Sequence, residues 1–246
     1  MQLAGKRALV TGAAVRVGKA IALELARQGV HIGLHFGRSG EHARQTQSEL
    51  QAHGVRAPLL QADLANAQQT AELLPAAAAA LDGPIDILVN SAAVYLDGGL
   101  SETTLEMWDR EFAINLRAPF QLSQAFAAQT SAPAGKDRTI VNILDARSNR
   151  PAADHFAYRL TKAGLETMTK NLAVELAPAI RVNALALGAI LPPPGASEGH
   201  LDRIAAERIP LQRAGNAELV AKNVVHLLTQ DFLTGVVIPL DGGEFL

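Results

Sequence analysis

The apolar positions of the chain alternate between two rhythms. Short aliphatic runs are separated by longer stretches whose apolar residues recur three and four apart, the pattern of repeated strand–helix–strand units around a parallel sheet. Strands are predicted at residues 7–10, 30–36, 55–60, 85–89, 139–144, 180–186 and 236–240. A helix follows the first strand to about Gln28, where Gly29 ends it, and another spans 41–53, closed by Gly54. Further helices are expected at 66–81, 104–129 (as one long element), 156–176 and 216–229, with Asn216 as a cap and Pro178 as a stop. Pro75 predicts a break or kink in the third of these helices.

The fold class that follows is α/β: a single Rossmann-type doubly wound domain over residues 1–246 with a mostly parallel seven-stranded sheet. No internal repeat and no linker divides it. Residues 130–137 read as a surface loop. Residues 188–210, with Pro192, Pro193 and Pro194 and an amphipathic patch at 200–208, are too long for an idle connection. They leave the C-terminal end of a strand, where open α/β sheets bind ligands, and are expected to form a substrate loop.

Composition narrows the function classes. Hydrophobic residues make up 48% and aromatics 4%, which favours an Ala/Leu/Val-packed α/β core. A chain of this length buries roughly three quarters of its unfolded surface, so no disulfide or metal is needed to hold it, and no residues are assigned to a metal. The absence of cysteine excludes thiolate chemistry and fits a reducing compartment. A net charge of −2 without a basic run speaks against nucleic-acid or membrane partners. No stretch of apolar residues is long enough to span a bilayer, and the first strand starts close to Met1, so a cytoplasmic protein without a signal peptide is expected.

The turn after the first strand reads Thr11-Gly12-Ala13-Ala14-Val15-Arg16-Val17-Gly18. Gly12 permits a tight turn and Gly18 close packing, so that N–H groups at a helix N-terminus face a pyrophosphate. A site for NAD would carry an acid some twenty residues on, to bond the ribose 2′-hydroxyl. Here the second strand ends Leu34-His35-Phe36-Gly37-Arg38-Ser39. An imidazole, a guanidinium and a hydroxyl, with Arg16 as a second cation, suit a 2′-phosphate and point to NADPH. Asp63, followed by Leu64, either bonds an adenine amino group or closes a helix-capping turn. Asn90, Ser91, Ala92 and Ala93 would let a cofactor lie against the backbone.

Tyr158 and Lys162 stand four apart and share a helix face, where a cation would stabilise a phenolate. Asp145 ends the strand before them, and Asn115 lies in the long helical pattern. With these residues, the glycine turn, Leu233-Thr234-Gly235 and Asp241-Gly242-Gly243, the chain resembles the short-chain dehydrogenase/reductase family over essentially its whole length. The resemblance implies that Tyr158 donates a proton and that Asn115 holds a water in the proton relay. It also implies that Lys162 binds the nicotinamide ribose while lowering the tyrosine pKa. Gly188 would contact nicotinamide, although Leu187 stands where the family usually has proline. A homotetramer formed through the helices at 104–129 and 156–176 is implied as well.

Two departures from the family, Arg16 for a glycine and Asp145 for a serine, form a pattern of their own. Together with His35, Arg38 and Ser39 they resemble the pteridine reductases. Tyr95 then falls where an aromatic ring would stack on a pterin, with Arg16, Asp145 and Tyr158 as further substrate contacts. The implied reaction is NADPH-dependent reduction of a dihydropterin or dihydrofolate. A general carbonyl or 3-oxoacyl reductase and a non-catalytic NADP(H)-binding protein are the competing readings.

Overall fold

The computed structural model describes residues 1–129, 138–148, 150–193 and 195–246, so the loop expected at 130–137 and Pro194 lie outside the described residues. Seven strands, β1 (Arg7–Val10), β2 (His31–Phe36), β3 (Leu59–Gln61), β4 (Ile87–Asn90), β5 (Arg138–Asp145), β6 (Ile180–Leu187) and β7 (Val237–Leu240), form one sheet in the order β3-β2-β1-β4-β5-β6-β7. Every pairing is parallel. The inner strands are buried along nearly their whole length, as helix-covered parallel strands must be.

The helices α1 (Arg16–Arg27), α2 (Gly40–Gln51) and α8 (Ala217–Thr229) cover one face of the sheet, with Ile21, Leu25, Leu50 and Val224 in its core. The opposite face carries α3 (Ala67–Ala80), α5 (Ala118–Ala127) and α6 (Phe156–Glu175), centred on Leu73, Leu122 and Phe126. The chain reverses its direction of winding between β1 and β4, so the crevice at their C-terminal ends is where a ligand belongs. No helix of the described residues is long and apolar enough to cross a membrane.

Three elements differ from the sequence expectation. Pro75 neither breaks nor ends α3, because it sits on the exposed face, where the carbonyl left without a partner is open to water. Strand β3 is shorter and later than expected. Pro58 has no N–H to give, and the main chain of β2 is met there by the carbonyls of Arg56 and Pro58, while the Arg56 N–H turns to the His31 side chain. The long helix expected at 104–129 is instead α4 (Leu105–Phe112), a π-helical turn (Ala113–Arg117) and α5. Such turns recur at functional sites, and this one carries Asn115. The expected substrate loop contains α7 (His200–Arg208).

Candidate active site

Two cavities of about 550 Å³ each share Gly12, Ala92 and Ala93 along the crevice. Local chemistry explains the turn between them. Gly12 has a φ of +67° and leaves 3.0 Å between a would-be Cβ and the Ala92 Cα. A Cβ on Gly18 would stand 2.2 Å from the Gly12 carbonyl oxygen, so no other residue fits there. Thr11 Oγ1 accepts the N–H groups of Ser91 and Ala92, each at 3.0 Å, and ties this turn to the end of β4. Asn90 donates to Asn142 Oδ1 at 2.8 Å, while its own buried Oδ1 has no partner among the described residues.

The first cavity is also lined by His35, Arg38, Asp63 and Leu64. Arg38 is exposed and makes no hydrogen bond or ion pair among the described residues, and Ser39 caps α2 without using its hydroxyl. Both therefore present free donors at a helix N-terminus, a place that favours an anion. His35 requires a correction. Gly12 N–H donates to its Nδ1 at 3.1 Å, its Nε2 is 3.1 Å from the Ala62 carbonyl, and burial lowers its pKa to about 4. It is a neutral strut beneath the turn and has no charge or free donor for a phosphate. Asp63 Oδ1 accepts the Ala65 N–H at 3.0 Å, so the capping turn is present, with the second carboxylate oxygen left over at the cavity. Arg16 takes a left-handed φ of +54° in place of the family glycine. Its guanidinium reaches away from the first cavity to the Pro192 carbonyl at 2.8 Å. With Val17 and Gly18 it lines the second cavity instead.

The second cavity holds Tyr95, Asp145, Arg147, Tyr158 and Lys162. Tyr158 donates to Asp145 Oδ2 at 3.3 Å, and Asp145 Oδ1 accepts the Arg147 backbone N–H at 2.8 Å. Arg147 donates to the Tyr95 hydroxyl at 2.9 Å, and the Tyr95 ring meets Tyr158 edge-on with centroids 4.7 Å apart. Burial opposes the Arg147 charge, but Asp145 and Tyr95 outweigh it and hold the guanidinium protonated. Lys162 donates to the Ile143 carbonyl at 2.8 Å, with its Nζ 5.7 Å from the centre of the Tyr158 ring. Burial lowers its pKa to about 8, with Asp145 pulling the other way. The net shift at Tyr158 is upward. Burial first, and Asp145 next, push Tyr158 well above its ordinary value, so it keeps its proton.

Asn115 and Gly188 also have packing roles of their own. The Asn115 amide accepts the Val94 N–H and donates to the Val94 carbonyl, both at 2.9 Å, and to Thr161 at 3.3 Å. Fully committed to protein, it clamps the strip that carries Tyr95. Gly188 is glycine because a Cβ would stand 2.7 Å from that of Asp241, a packing reason independent of any cofactor. Sequence reasoning gave no role to Glu111 or His155, and named Thr11 and Arg147 only within the glycine turn and the Asp145-Ala146-Arg147 stretch. Glu111 is buried and accepts the Leu96 N–H at 2.9 Å, and His155 stacks on Tyr95 at 3.9 Å.

The residues present suit a nicotinamide dinucleotide. Gly12 leaves the close approach that a cofactor backbone needs, and Arg38, which lines the same cavity, has no side-chain partner among the described residues. The parallel sheet, its glycine turn at the switch point and the Tyr158–Lys162 face define the class: a Rossmann-type oxidoreductase.

A family model described as enoyl-(acyl carrier protein) reductase matches residues 12–244. L-xylulose reductase of Mesocricetus auratus is 35% identical over 250 residues, 98% of this chain and 97% of the relative. The 3-oxoacyl-[acyl-carrier-protein] reductase FabG of Staphylococcus epidermidis is 32% identical over 98% of this chain and 99% of its own. Among solved structures, FolM alternative dihydrofolate reductase 1 from Brucella canis, complexed with NADP, superposes with a TM-score of 0.92 at 33% identity, covering 99% of this chain and 95% of that one. The chain belongs to the short-chain dehydrogenase/reductase family.

Proposed function

We propose that the protein is an NADPH-dependent reductase of pterins, of the dihydrobiopterin, dihydromonapterin or dihydrofolate type. The observation that carries this reading is the hydrogen bond from Tyr158 to Asp145, a carboxylate where the family usually has serine, beside the Tyr95 ring. NADPH, when bound, supplies a hydride. The chain's residues supply the proton and hold the substrate. Tyr158 is kept protonated by burial and by Asp145, and gives up its proton only to the nitrogen next to the carbon that is reduced. Lys162 stays largely an ammonium at neutral pH and stabilises the phenolate that remains. Asp145 orients the phenol and bonds a substrate N–H, and Tyr95 packs on the flat ring. The NADP-complexed FolM structure supports both the cofactor and the substrate class. Arg38 and Ser39 support the cofactor independently.

The similarity to L-xylulose reductase and to FabG favours a second reading, a general carbonyl reductase. Both readings are tested by following NADPH consumption with a 7,8-dihydropterin, L-xylulose and a 3-oxoacyl thioester, for the wild type and Asp145→Asn. The pterin reading expects the dihydropterin to be reduced fastest and Asp145→Asn to lose roughly a hundredfold, as for a positioned acid–base group. Faster reduction of the ketose or thioester, with Asp145→Asn unimpaired, would establish the second reading.

We further propose that the 188–210 segment covers the substrate and that the protein is a homotetramer assembled through α4–α6. Apolar Leu105, Phe120 and Leu160 lie exposed on these helices, and Phe120 lines a groove of about 780 Å³ together with Phe112 and Met168.

A further inference from the structure

The catalytic cavity contains a second carboxylate that the mechanism above does not use. Glu244 follows Asp241-Gly242-Gly243 beyond β7, and its side chain is 5% exposed. Arg208, at the end of α7, reaches its Oε1 at 3.0 Å. Oε2 has no partner among the described residues and lies 3.3 Å from where a Cβ on Gly188 would stand. Gly188 comes directly after Leu187, the register partner of Asp145, so this oxygen borders the strand end that carries the catalytic carboxylate. A carboxylate in so enclosed a place leaves acceptor capacity unmet unless a donor arrives. Burial pushes its pKa up, Arg208 and Arg147 pull it down, and Asp241 and Asp145 push it up again.

We propose that Glu244 is a specificity-determining residue that binds a substrate edge bearing two adjacent N–H donors, the ring N–H and exocyclic amine of a 2-aminopyrimidin-4-one. The proposal rests on the pterin reading above and deepens it. Such an edge meets a carboxylate with two parallel hydrogen bonds, as a guanidinium does. Each carboxylate oxygen can accept twice, so Oε1 can take a substrate N–H while keeping Arg208. The hydroxyl groups of a sugar or the thioester of an acyl chain present no such paired edge.

The test compares 7,8-dihydropterin with 7,8-dihydrolumazine, in which an oxo acceptor replaces the amine. Binding to the NADP⁺-loaded full-length protein is measured by calorimetry, beside the rate at which the NADPH-loaded protein reduces each. The wild type should bind the amino compound at least about tenfold more tightly, the fold-change of one charge-assisted bond. Glu244→Gln should bring that ratio close to one with little change in kcat. Arg208→Gln removes the ion pair but leaves the carboxylate, so it should keep the preference. It also serves as the informative variant should Glu244→Gln not fold.

Equal binding of both compounds by the wild type, binding of neither, or an undiminished ratio in Glu244→Gln would overturn the proposal, as would loss of the preference in Arg208→Gln. If dihydropterin is reduced but the ratio is indifferent to Glu244, the recognition proposal alone fails. If the ratio depends on Glu244 but no pterin is reduced, the catalytic reading alone fails.

Discussion

At the scale of single residues, we propose that the cofactor preference rests on Arg38. It stands exposed at the start of α2 with no protein partner among the described residues, whereas Arg16 is engaged with Pro192 and His35 is neutral. One charge-assisted contact to a 2′-phosphate is worth about 1.5–3 kcal/mol, so Arg38→Ala should weaken NADPH by at least about tenfold. NADH, which lacks that phosphate, should bind as before. Fluorescence titration of both cofactors checks this, and equal weakening of the two would show that Arg38 shapes the loop instead. The same scale shows how opposed charges are balanced at Asp145. Its carboxylate holds Arg147 charged and Tyr158 protonated at once, two effects of one negative charge on partners of opposite type.

At the scale of elements, the end of β2 and the π-helical turn organise the site. His35 joins Gly12 in the glycine turn to Ala62 after β3, and it can do so only as a neutral ring, accepting at Nδ1 and donating at Nε2. Its pKa falls from an ordinary 6.5 to about 4 on burial. A lowered histidine pKa means that the unfolded chain binds more protons between those two values. Stability is therefore fully present above pH 6.5 and declines as pH falls toward 4, by about 3 kcal/mol from this group. Imidazole NMR titration should find His35 neutral until near pH 4. A midpoint near 6.5 would show that the ring is not sealed in the turn. The π-helical turn acts on the other side of the site. It places Asn115 against both polar groups of Val94, while Glu111 takes the N–H of Leu96, so the Tyr95 strip is held from behind at two points.

For the whole molecule, the outer face of α4–α6 sets the expected assembly. Phe120, Leu105 and Leu160 would be left in water by a monomer, and burying an aromatic side chain of this kind contributes about 1.5–3 kcal/mol. Phe120→Asp places a charge on that face and should shift a tetramer to dimers or monomers in sedimentation velocity, with the far-UV circular dichroism unchanged. A wild type that sediments as a monomer, or a variant that stays tetrameric, would remove this face from the assembly.

Much of the architecture is local information. Aliphatic runs buried on both faces, glycine stops at Gly29 and Gly54 and caps such as Asn66 and Asn216 dictate strand and helix from a few neighbouring residues, and the parallel sheet follows from their alternation. The glycine turn, Tyr158 with Lys162, and Asp145 were legible for the same reason, because each is a short spacing on one element or at one strand end. Other features required the folded chain. The π-helical turn has no sequence period of its own and was hidden in a continuous helical pattern. The neutrality of His35, the committed amide of Asn115 and the raised pKa of Tyr158 depend on burial and on partners many positions away, which no spacing encodes. Glu244 lies 99 positions after Asp145 and enters the same cavity only because β7 joins the sheet beside β6. Propensity and periodicity act over a few residues, so they determine elements and their order. Desolvation and charge pairing act through space, so only the tertiary structure decides which ionisable groups meet and in which protonation state.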